Sequence, residues 1–246
     1  TLNRPEVLNA LDDDVFQALR DAIAGARSDR DTRVFVLTGA GRAFCAGGDI
    51  QAQKRRFEWS AAEQEARLRK MNDGVVRPLA ELPIPTIASV NGDAMGGGLG
   101  LALACDMRLA ADTARFGFAF LRIGLSFDMG VGFFLPRAIG LARAAELAYT
   151  GEIVGAEEAL RMGLVNRVVS GSTLAKETDE LARRIAAGPP LALRATKALL
   201  RESPFLSLER ELSMEAKAQS RLFRSEDYRE GVEAFLEKRK PDFRGG

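Results

Sequence analysis

Apolar residues follow two different spacings along this chain, and each spacing predicts one kind of element. Continuous apolar runs at residues 34–38 and 86–90 are typical of buried strands. Three later strands are also predicted, at residues 107–110, 115–118 and 164–169. Each of the first two runs leads into a glycine-rich turn, and the second turn leads into a predicted helix at residues 97–105. Repeated strand–turn–helix units predict an α/β fold of stacked turns.

Apolar residues at intervals of three or four predict helices elsewhere. The spacing from Leu8 to Ala26 predicts a first helix, and the aspartates at residues 12–14 lie where a helix N-terminus favours negative charge. Residues 60–82 form a charged and mostly helical stretch. Several of its ionic side chains are expected on an exposed helix face: Glu63, Glu65, Arg67, Arg69 and Lys70.

The pattern becomes entirely helical beyond Pro189 and Pro190. We therefore place a boundary there, with a core over residues 1–190 and a helical region over residues 191–246. The helical region is too small to hold a hydrophobic core alone. It is expected to pack on its own core or on a neighbouring subunit.

Composition narrows the class of protein. A chain of 246 residues fits one large domain, with or without an appendage. The net charge of +1, from 35 basic and 34 acidic residues, argues against a nucleic-acid partner. No apolar run approaches the roughly 20 residues that span a bilayer, so no membrane association is expected. With no leader segment visible and two cysteines, a cytoplasmic location is the expectation.

The chain contains no histidine, which limits its chemistry. Catalysis by Ser-His-Asp or Cys-His groups in their usual forms is excluded. With only two cysteines, ordinary zinc sites are excluded as well, and we expect no metal. Cys45 and Cys105 are interpreted as small buried apolar residues. Acid–base chemistry then falls to Asp, Glu, Lys, Tyr or water.

The two glycine-rich turns, GAGRAFCAGGDI and NGDAMGGGLG, are the strongest functional signal. Glycine lets the backbone approach a ligand closely, so the turns can direct two N–H groups at one point. Two converging N–H donors stabilise an oxyanion. Such an oxyanion forms when the carbonyl oxygen of a thioester becomes the oxygen of an enolate. Neither turn matches a nucleotide-binding fingerprint. A purely structural role for the glycines remains the alternative.

The sequence resembles the crotonase superfamily, the enoyl-CoA hydratase/isomerase fold, over nearly its whole length. The resemblance rests on the order and spacing of five segments: NRPEVLNAL, AFCAGGDI, PIPTIASVNGDAMGGGLGLALACDMRLAADTARFGF, LPRAIGLARAAELAYTGEIVGAEEALRMGLVNRVV and SEDYREGVEAFLEKRKPDF. The resemblance implies a spiral core of ββα units and a C-terminal helical region that supports a homotrimer or a dimer of trimers. It also implies acyl-CoA substrates, with coenzyme A as part of the substrate and no separate cofactor.

By position, the resemblance implies that the N–H groups of Gly48 and Gly97 form an oxyanion hole. Gly97 also opens a helix, whose dipole favours negative charge. Contacts to coenzyme A are expected from six residues: Val7, Leu8, Arg42, Ala46, Gly47 and Asp49. Among them, Asp49 is expected to fix the turn rather than to perform chemistry.

The sequence departs from the hydratase pattern of that family. The positions of the two hydratase glutamates hold Gly100 and Phe120, and neither residue can transfer a proton. Asp128 lies in a glycine-bearing loop that matches the loop aspartate of isomerase-type members. Neighbouring phenylalanines are expected to surround it and to raise its pKa by desolvation: Phe120, Phe127, Phe133 and Phe134.

Three functions therefore stay open. The first is an enoyl-CoA isomerase with Asp128 as acid and base, since one carboxylate can move a proton between two carbons. The second is another reaction of the family, such as hydration, thioester hydrolysis or retro-Claisen cleavage. The third is a non-catalytic acyl-CoA binder, suggested by the loss of both glutamates. Separately, Asp128 could cap a helix or turn instead of acting in catalysis.

Overall fold

The structure, a computed structural model, describes residues 1–118 and 120–246. Within them, eight strands form two four-stranded sheets. The first sheet has the order β1-β3-β5-β8 and is parallel throughout: β1 Phe35–Thr38, β3 Thr86–Val90, β5 Met107–Ala111 and β8 Arg167–Val169. The second has the order β2-β4-β6-β7, and its last strand is antiparallel: β2 Ala43–Cys45, β4 Asp93–Met95, β6 Arg115–Gly117 and β7 Ile153–Gly155.

Strands β1 to β6 alternate between the two sheets, which gives the predicted repeat of two strands and a helix. The step from the first sheet to the second passes Gly39 after β1 and Gly92 after β3. A Cβ atom on Gly39 would overlap the carbonyl oxygen of Ala43, and one on Gly92 would overlap that of Arg42. Both turns therefore need glycine for close packing against the next turn of the chain.

Twelve α-helices complete the described fold. Nine of them precede Pro190: α1 Asp13–Ser28, α2 Ile50–Lys54, α3 Ala61–Met71, α4 Arg77–Ala80, α5 Gly97–Ala104, α6 Val131–Ile139, α7 Leu141–Thr150, α8 Ala156–Arg161 and α9 Leu174–Ala186. Three follow: α10 Pro190–Glu202, α11 Leu208–Leu222 and α12 Glu226–Glu237. Every residue of α5 is buried, so the second glycine turn leads directly into the centre of the core. No helix in the described ranges is both long and apolar enough to cross a bilayer.

The aspartates at residues 12–14 do lie at the N-terminus of α1, but the apolar spacing from Leu8 to Leu11 does not belong to the helix. Asp12 caps α1, and its side chain accepts a hydrogen bond from the Val15 N–H at 2.9 Å. Leu8 follows a short 3-10 helix with a φ of +55°. The Leu11 N–H donates to the carbonyl of Gly47 at 2.7 Å, so it is not available to a helix. Residues 8–11 therefore run beside the first glycine turn.

The C-terminal helices begin by packing on the chain's own core. Lys197 on α10 is buried, and its Nζ lies 2.7 Å from the carboxylate of Asp106 and 2.8 Å from the carbonyl of Ile84. A buried ammonium needs such partners because desolvation opposes its charge. This contact agrees with the expectation that the helical region packs on its own core. The boundary near residue 190 stays a prediction.

Candidate active site

The two glycine turns meet at a cavity of about 150 Å³. One side is backbone, from residues 46–48 and 96–97, which we call the glycine wall. The facing side is formed by side chains of the segment between β6 and α6, which we call the loop wall: Phe120, Ile123, Leu125, Asp128 and Met129. Arg56 and Arg67 also line the cavity. The structure thus brings Gly48, Gly97 and Asp128 together.

The N–H of Gly48 points away from residues 8–11, which run beside the first glycine turn. It pairs with Leu11 in an isolated parallel bridge. Leu11 donates to the Gly47 carbonyl at 2.7 Å and accepts from the Asp49 N–H at 3.0 Å. In a parallel bridge the flanking residues make these bonds, so the N–H of the central residue points to the other side. The Gly48 N–H is therefore free to meet a ligand.

Gly97 is the first residue of α5, so its N–H has no partner within the helix. The turn before it is sharp, since Gly96 has a φ of +50°. A Cβ on Gly47 would lie 3.6 Å from the Gly97 nitrogen, which shows how closely the two turns approach. The N-terminus of α5 adds the positive end of a helix dipole at this point.

Asp128 carries an unusual carboxyl group. Its Oδ1 atom is buried and has no hydrogen-bond partner among residues 1–118 and 120–246. Burial raises the pKa of Asp128 to about 6, and the positive charge of Arg67 opposes that rise. The predicted direction of the pKa shift is confirmed. The capping interpretation is wrong, because Gly130 occupies the N-cap of α6 and no side chain caps that helix.

The space beside Gly100 is filled by the loop wall. A Cβ on Gly100 would lie 2.5 Å from the Cβ of Met129 and 2.8 Å from its carbonyl oxygen. Met129 is buried and has a φ of +50°, a conformation that is strained for a residue with a side chain. A glutamate at position 100 would collide with this loop. The Asp128–Met129 segment therefore takes the place that a side chain from α5 would need.

Fewer aromatic residues surround Asp128 than predicted. Phe120 lines the cavity and packs edge-to-face on Phe127 at 5.8 Å between ring centres. Phe133 and Phe134 instead line a second cavity of about 1080 Å³ beside α10, so their prediction is wrong. Phe133 there stacks on Phe205 at 5.8 Å.

The prediction of an exposed face on α3 is wrong for Arg67. Only 15% of its side chain is exposed, and it lines the cavity. Its Nη1 lies 2.9 Å from the sulfur of Met71, one helical turn later. Met71 is buried, so an apolar residue four positions away was the available signal that this face points inward. Arg69 on the same helix is exposed as predicted.

The residues expected to contact coenzyme A lie around the glycine wall. Ala46 and Gly47 belong to that wall. The Leu8 carbonyl accepts a hydrogen bond from the Ala46 N–H at 2.9 Å, and Val7 beside it is exposed. Arg42 is exposed and lies outside the cavity. Their contacts to coenzyme A stay predictions.

Asp49 fixes the end of the first turn, as expected. Its carboxylate caps α2, accepting from the N–H groups of Gln51 at 3.0 Å and Ala52 at 3.2 Å. Arg4 lies 3.2 Å from the same carboxylate. The Ala52 N–H contributes most to holding the pKa of Asp49 below its usual value, and Arg4 adds to this effect. A contact of Asp49 with coenzyme A stays a prediction.

Comparison with known proteins decides the family. The family model described as enoyl-CoA hydratase/isomerase matches residues 1–246. The chain belongs to the enoyl-CoA hydratase/isomerase family. It is 40% identical to a 1,2-epoxyphenylacetyl-CoA isomerase of Escherichia coli, over 100% of the chain and 94% of the relative. It is 38% identical to a crotonyl-CoA hydratase of Syntrophomonas wolfei, over 98% of the chain and 92% of the relative.

Solved structures of this enoyl-CoA hydratase/isomerase family share the fold. A crystal structure of an enoyl-CoA hydratase from Bacillus anthracis superposes with a TM-score of 0.94 at 36% identity. The match covers 100% of this chain and 94% of that one. The expected crotonase-type α/β fold is thereby confirmed, and an acyl-CoA substrate is consistent with the family. Relatives carry both isomerase and hydratase names, so membership alone leaves the reaction open.

Proposed function

We propose that this protein is an enoyl-CoA isomerase, which moves a double bond of an acyl-CoA without adding water. The observation that carries the proposal is a single half-buried carboxyl group, that of Asp128, which lines the cavity opposite the glycine wall and has one buried oxygen, Oδ1. It is the only acidic residue that lines the cavity in the described part of the chain. Hydration by two glutamates needs a second carboxylate, and Met129 fills the space beside Gly100 where the family resemblance places one.

The proposed reaction balances without a co-reactant. The carboxylate of Asp128 removes a proton from carbon 2 of a 3-enoyl-CoA. The C–H electron pair enters a dienolate, whose negative charge rests on the thioester oxygen. The N–H groups of Gly48 and Gly97 hold that oxygen. Protonated Asp128 then returns the proton to carbon 4, which yields the 2-enoyl-CoA and restores the carboxylate.

The environment of Asp128 suits both halves of this reaction. A pKa of about 6 leaves most of the group ionised at neutral pH, ready to accept a proton. The same value makes the protonated form a stronger proton donor than water. The free Oδ1 atom supports the proposal, because no protein group competes with the substrate for it within the described residues.

We also propose that the protein assembles as a homotrimer or a dimer of trimers. Several large apolar side chains of the C-terminal helices are exposed on the single chain: Leu200, Leu208, Leu212, Phe223, Phe235 and Leu236. Exposed apolar area of this kind is typical of a protein interface. Light scattering coupled to size exclusion tests this directly, and a monomer at micromolar concentration would contradict it.

The experiment that tests the reaction uses two substrates. Purified protein is incubated with a 3-enoyl-CoA and separately with a 2-enoyl-CoA, and products are resolved by mass and chromatography. We expect an isobaric shift of the double bond, lost in Asp128→Asn. A mass gain of water would favour hydration, the reaction named for the Syntrophomonas relative. Release of free coenzyme A would favour hydrolysis, and binding without conversion would favour a non-catalytic binder.

A further inference from the structure

Two arginine side chains reach the cavity with only one carboxylate between them. Arg56 follows α2 and Arg67 lies on α3, and 11% and 15% of their side chains are exposed. Both contact the same oxygen of Asp13, at 2.9 Å from Arg67 and 3.6 Å from Arg56. The Asp13 side chain is 74% exposed. Two largely buried cations thus share one largely solvated anion.

Arg67 keeps one hydrogen-bond donor unused among the residues that the structure describes. The Nε atom of Arg67 is buried and has no hydrogen-bond partner in the part of the chain that the structure describes. An unpartnered donor on a charged group is costly, so a ligand that supplies an acceptor there gains affinity. Burial and then the charge of Arg67 lower the pKa of Arg56, which shows that the two guanidinium groups repel each other.

Asp128 faces the same cavity and interacts with Arg67 only at longer range. Among the described residues it forms no ion pair with either of them, and its Oδ1 atom has no partner. The cavity therefore combines an apolar loop wall with two guanidinium groups, and the Nε donor of Arg67 is unused among the described residues. That combination fits an acyl group that carries its own anion.

We propose that Arg67, assisted by Arg56, binds a second carboxylate on the acyl group, so that the substrates are coenzyme A thioesters of short dicarboxylic acids. The planar fork of an arginine matches a carboxylate with two parallel hydrogen bonds. The cavity volume of about 150 Å³ resembles that of a cavity able to hold benzene, so an acyl chain of about six carbons fits. This inference rests on the proposed function, because the thioester carbonyl must lie at the glycine wall.

The test compares two non-reactive ligands of equal chain length, hexanoyl-CoA and the mono-CoA thioester of hexanedioic acid. Titration calorimetry on the wild-type protein is expected to give about ten- to a hundred-fold tighter binding of the diacid thioester. Arg67→Met is expected to bring the ratio of the two Kd values close to one. Arg69→Met is the matched control on the same helix, because that side chain is 73% exposed, and it should keep the wild-type ratio.

Two outcomes would overturn the inference. One is equal or tighter binding of hexanoyl-CoA by the wild type. The other is an Arg67→Met variant that weakens both ligands equally, which would assign Arg67 to coenzyme A rather than to the acyl group. Should Arg67→Met fail to fold, Arg56→Met and Arg67→Lys must each lower the ratio, and an unchanged ratio in both contradicts the proposal.

Failure of the isomerase proposal is distinguishable from failure of this one. Turnover is measured on hex-3-enoyl-CoA and on the mono-CoA thioester of hex-3-enedioic acid. A preserved binding preference with no isomerisation of either compound overturns the reaction and leaves the carboxylate site standing. Isomerisation of both compounds with equal kcat/KM and equal affinity overturns the carboxylate site alone.

Discussion

The two walls of the cavity are built from different parts of the polypeptide. The glycine wall offers backbone N–H groups at residues 48 and 97, and its positions are held by strand pairing and by α5. The loop wall offers side chains, and its backbone is strained at Met129. Backbone groups suit a task shared by a whole family, the stabilisation of a thioester oxyanion. Side chains on a loop decide which proton moves and which acyl group fits.

The largest expected effect comes from removing one backbone donor of the glycine wall. Gly97→Pro deletes the N–H at the first position of α5, where proline is well tolerated. We expect kcat to fall by about 10²–10³-fold, since one oxyanion donor is lost. Gly97→Ala is the control for added bulk, because it keeps the N–H while its Cβ presses on the side chains of Leu11 and Met129, at 3.3 and 3.4 Å. Equal activity of the two variants, with both folded by circular dichroism, would contradict the role of this N–H.

A second prediction concerns how the ionised carboxyl group of Asp128, in the loop wall, changes the free energy of unfolding. With its pKa raised from 3.8 to about 6, Asp128 binds a proton more tightly in the folded state. Ionisation of Asp128 therefore lowers the free energy of unfolding. This loss is small at about pH 4, grows between pH 4 and 6, and is nearly complete above pH 6. Asp128→Asn removes this loss and should raise the free energy of unfolding at pH 7.5 by up to about 3 kcal/mol.

Urea unfolding at pH 7.5 and at pH 4 checks this second prediction. The gain from Asp128→Asn should shrink to a small fraction at pH 4, where the wild-type carboxyl is protonated in the folded state and close to half protonated in the unfolded state. Asp73→Asn serves as the control, because the carboxylate of Asp73 is 59% exposed. A gain of equal size at both pH values would show that its origin is not the ionisation of Asp128.

A third prediction tests what supports the glycine wall. A Cβ on Gly98 would overlap the carbonyl and side chain of Cys45, so Gly98→Ala forces β2 and α5 apart. We expect a loss of about 1–3 kcal/mol in the free energy of unfolding. Gly25→Ala is the matched helical control, because nothing lies within 4 Å of its Cβ position. It should gain about 0.5–1 kcal/mol, and similar values for both variants in thermal or urea unfolding would refute the packing argument.

The smallest effect is expected where the glycine wall meets a movable side chain. A Cβ on Gly48 would lie 2.5 Å from the amide nitrogen of Gln53, at the end of a flexible side chain. Gly48→Ala keeps the N–H and needs only a rotation of Gln53. Activity should fall by less than about tenfold, well below the loss in Gly97→Pro. A loss as large as that of Gly97→Pro would mean that the side-chain space at position 48 matters as much as the N–H.

The glycine wall could be predicted from the sequence, and the loop wall only in part. The glycines at 39, 48 and 97 follow strands or open a helix, so local pattern and family resemblance lead to them. The pKa direction of Asp128 followed from its expected apolar neighbours, of which Phe120 lines the cavity and Phe127 packs on Phe120. Both features depend on residues close together in the sequence.

The features that were missed depend on packing between distant segments. Arg67 enters the cavity because α3 packs near α1, where Asp13 meets it. Phe133 faces Phe205 on the far side of α6, across about seventy residues of chain. Strands β2, β4 and β7 have three residues each, too few for a periodic pattern to be recognised. The two buried cysteines, whose thiol pKa values burial raises to about 12, were predicted correctly from residue type alone.

The central claim is that Asp128 moves the proton, and the pH profile of kcat/KM for isomerisation of a 3-enoyl-CoA tests it most directly. Because kcat/KM reports ionisations of the free enzyme, the rate should rise through about pH 6 and level off above it. At pH 7.5, Asp128→Asn should lower kcat/KM by about 10²–10⁴-fold and remove that rise. A wild-type profile that is flat from pH 5 to 8, with substantial activity in the Asn variant, would contradict the account.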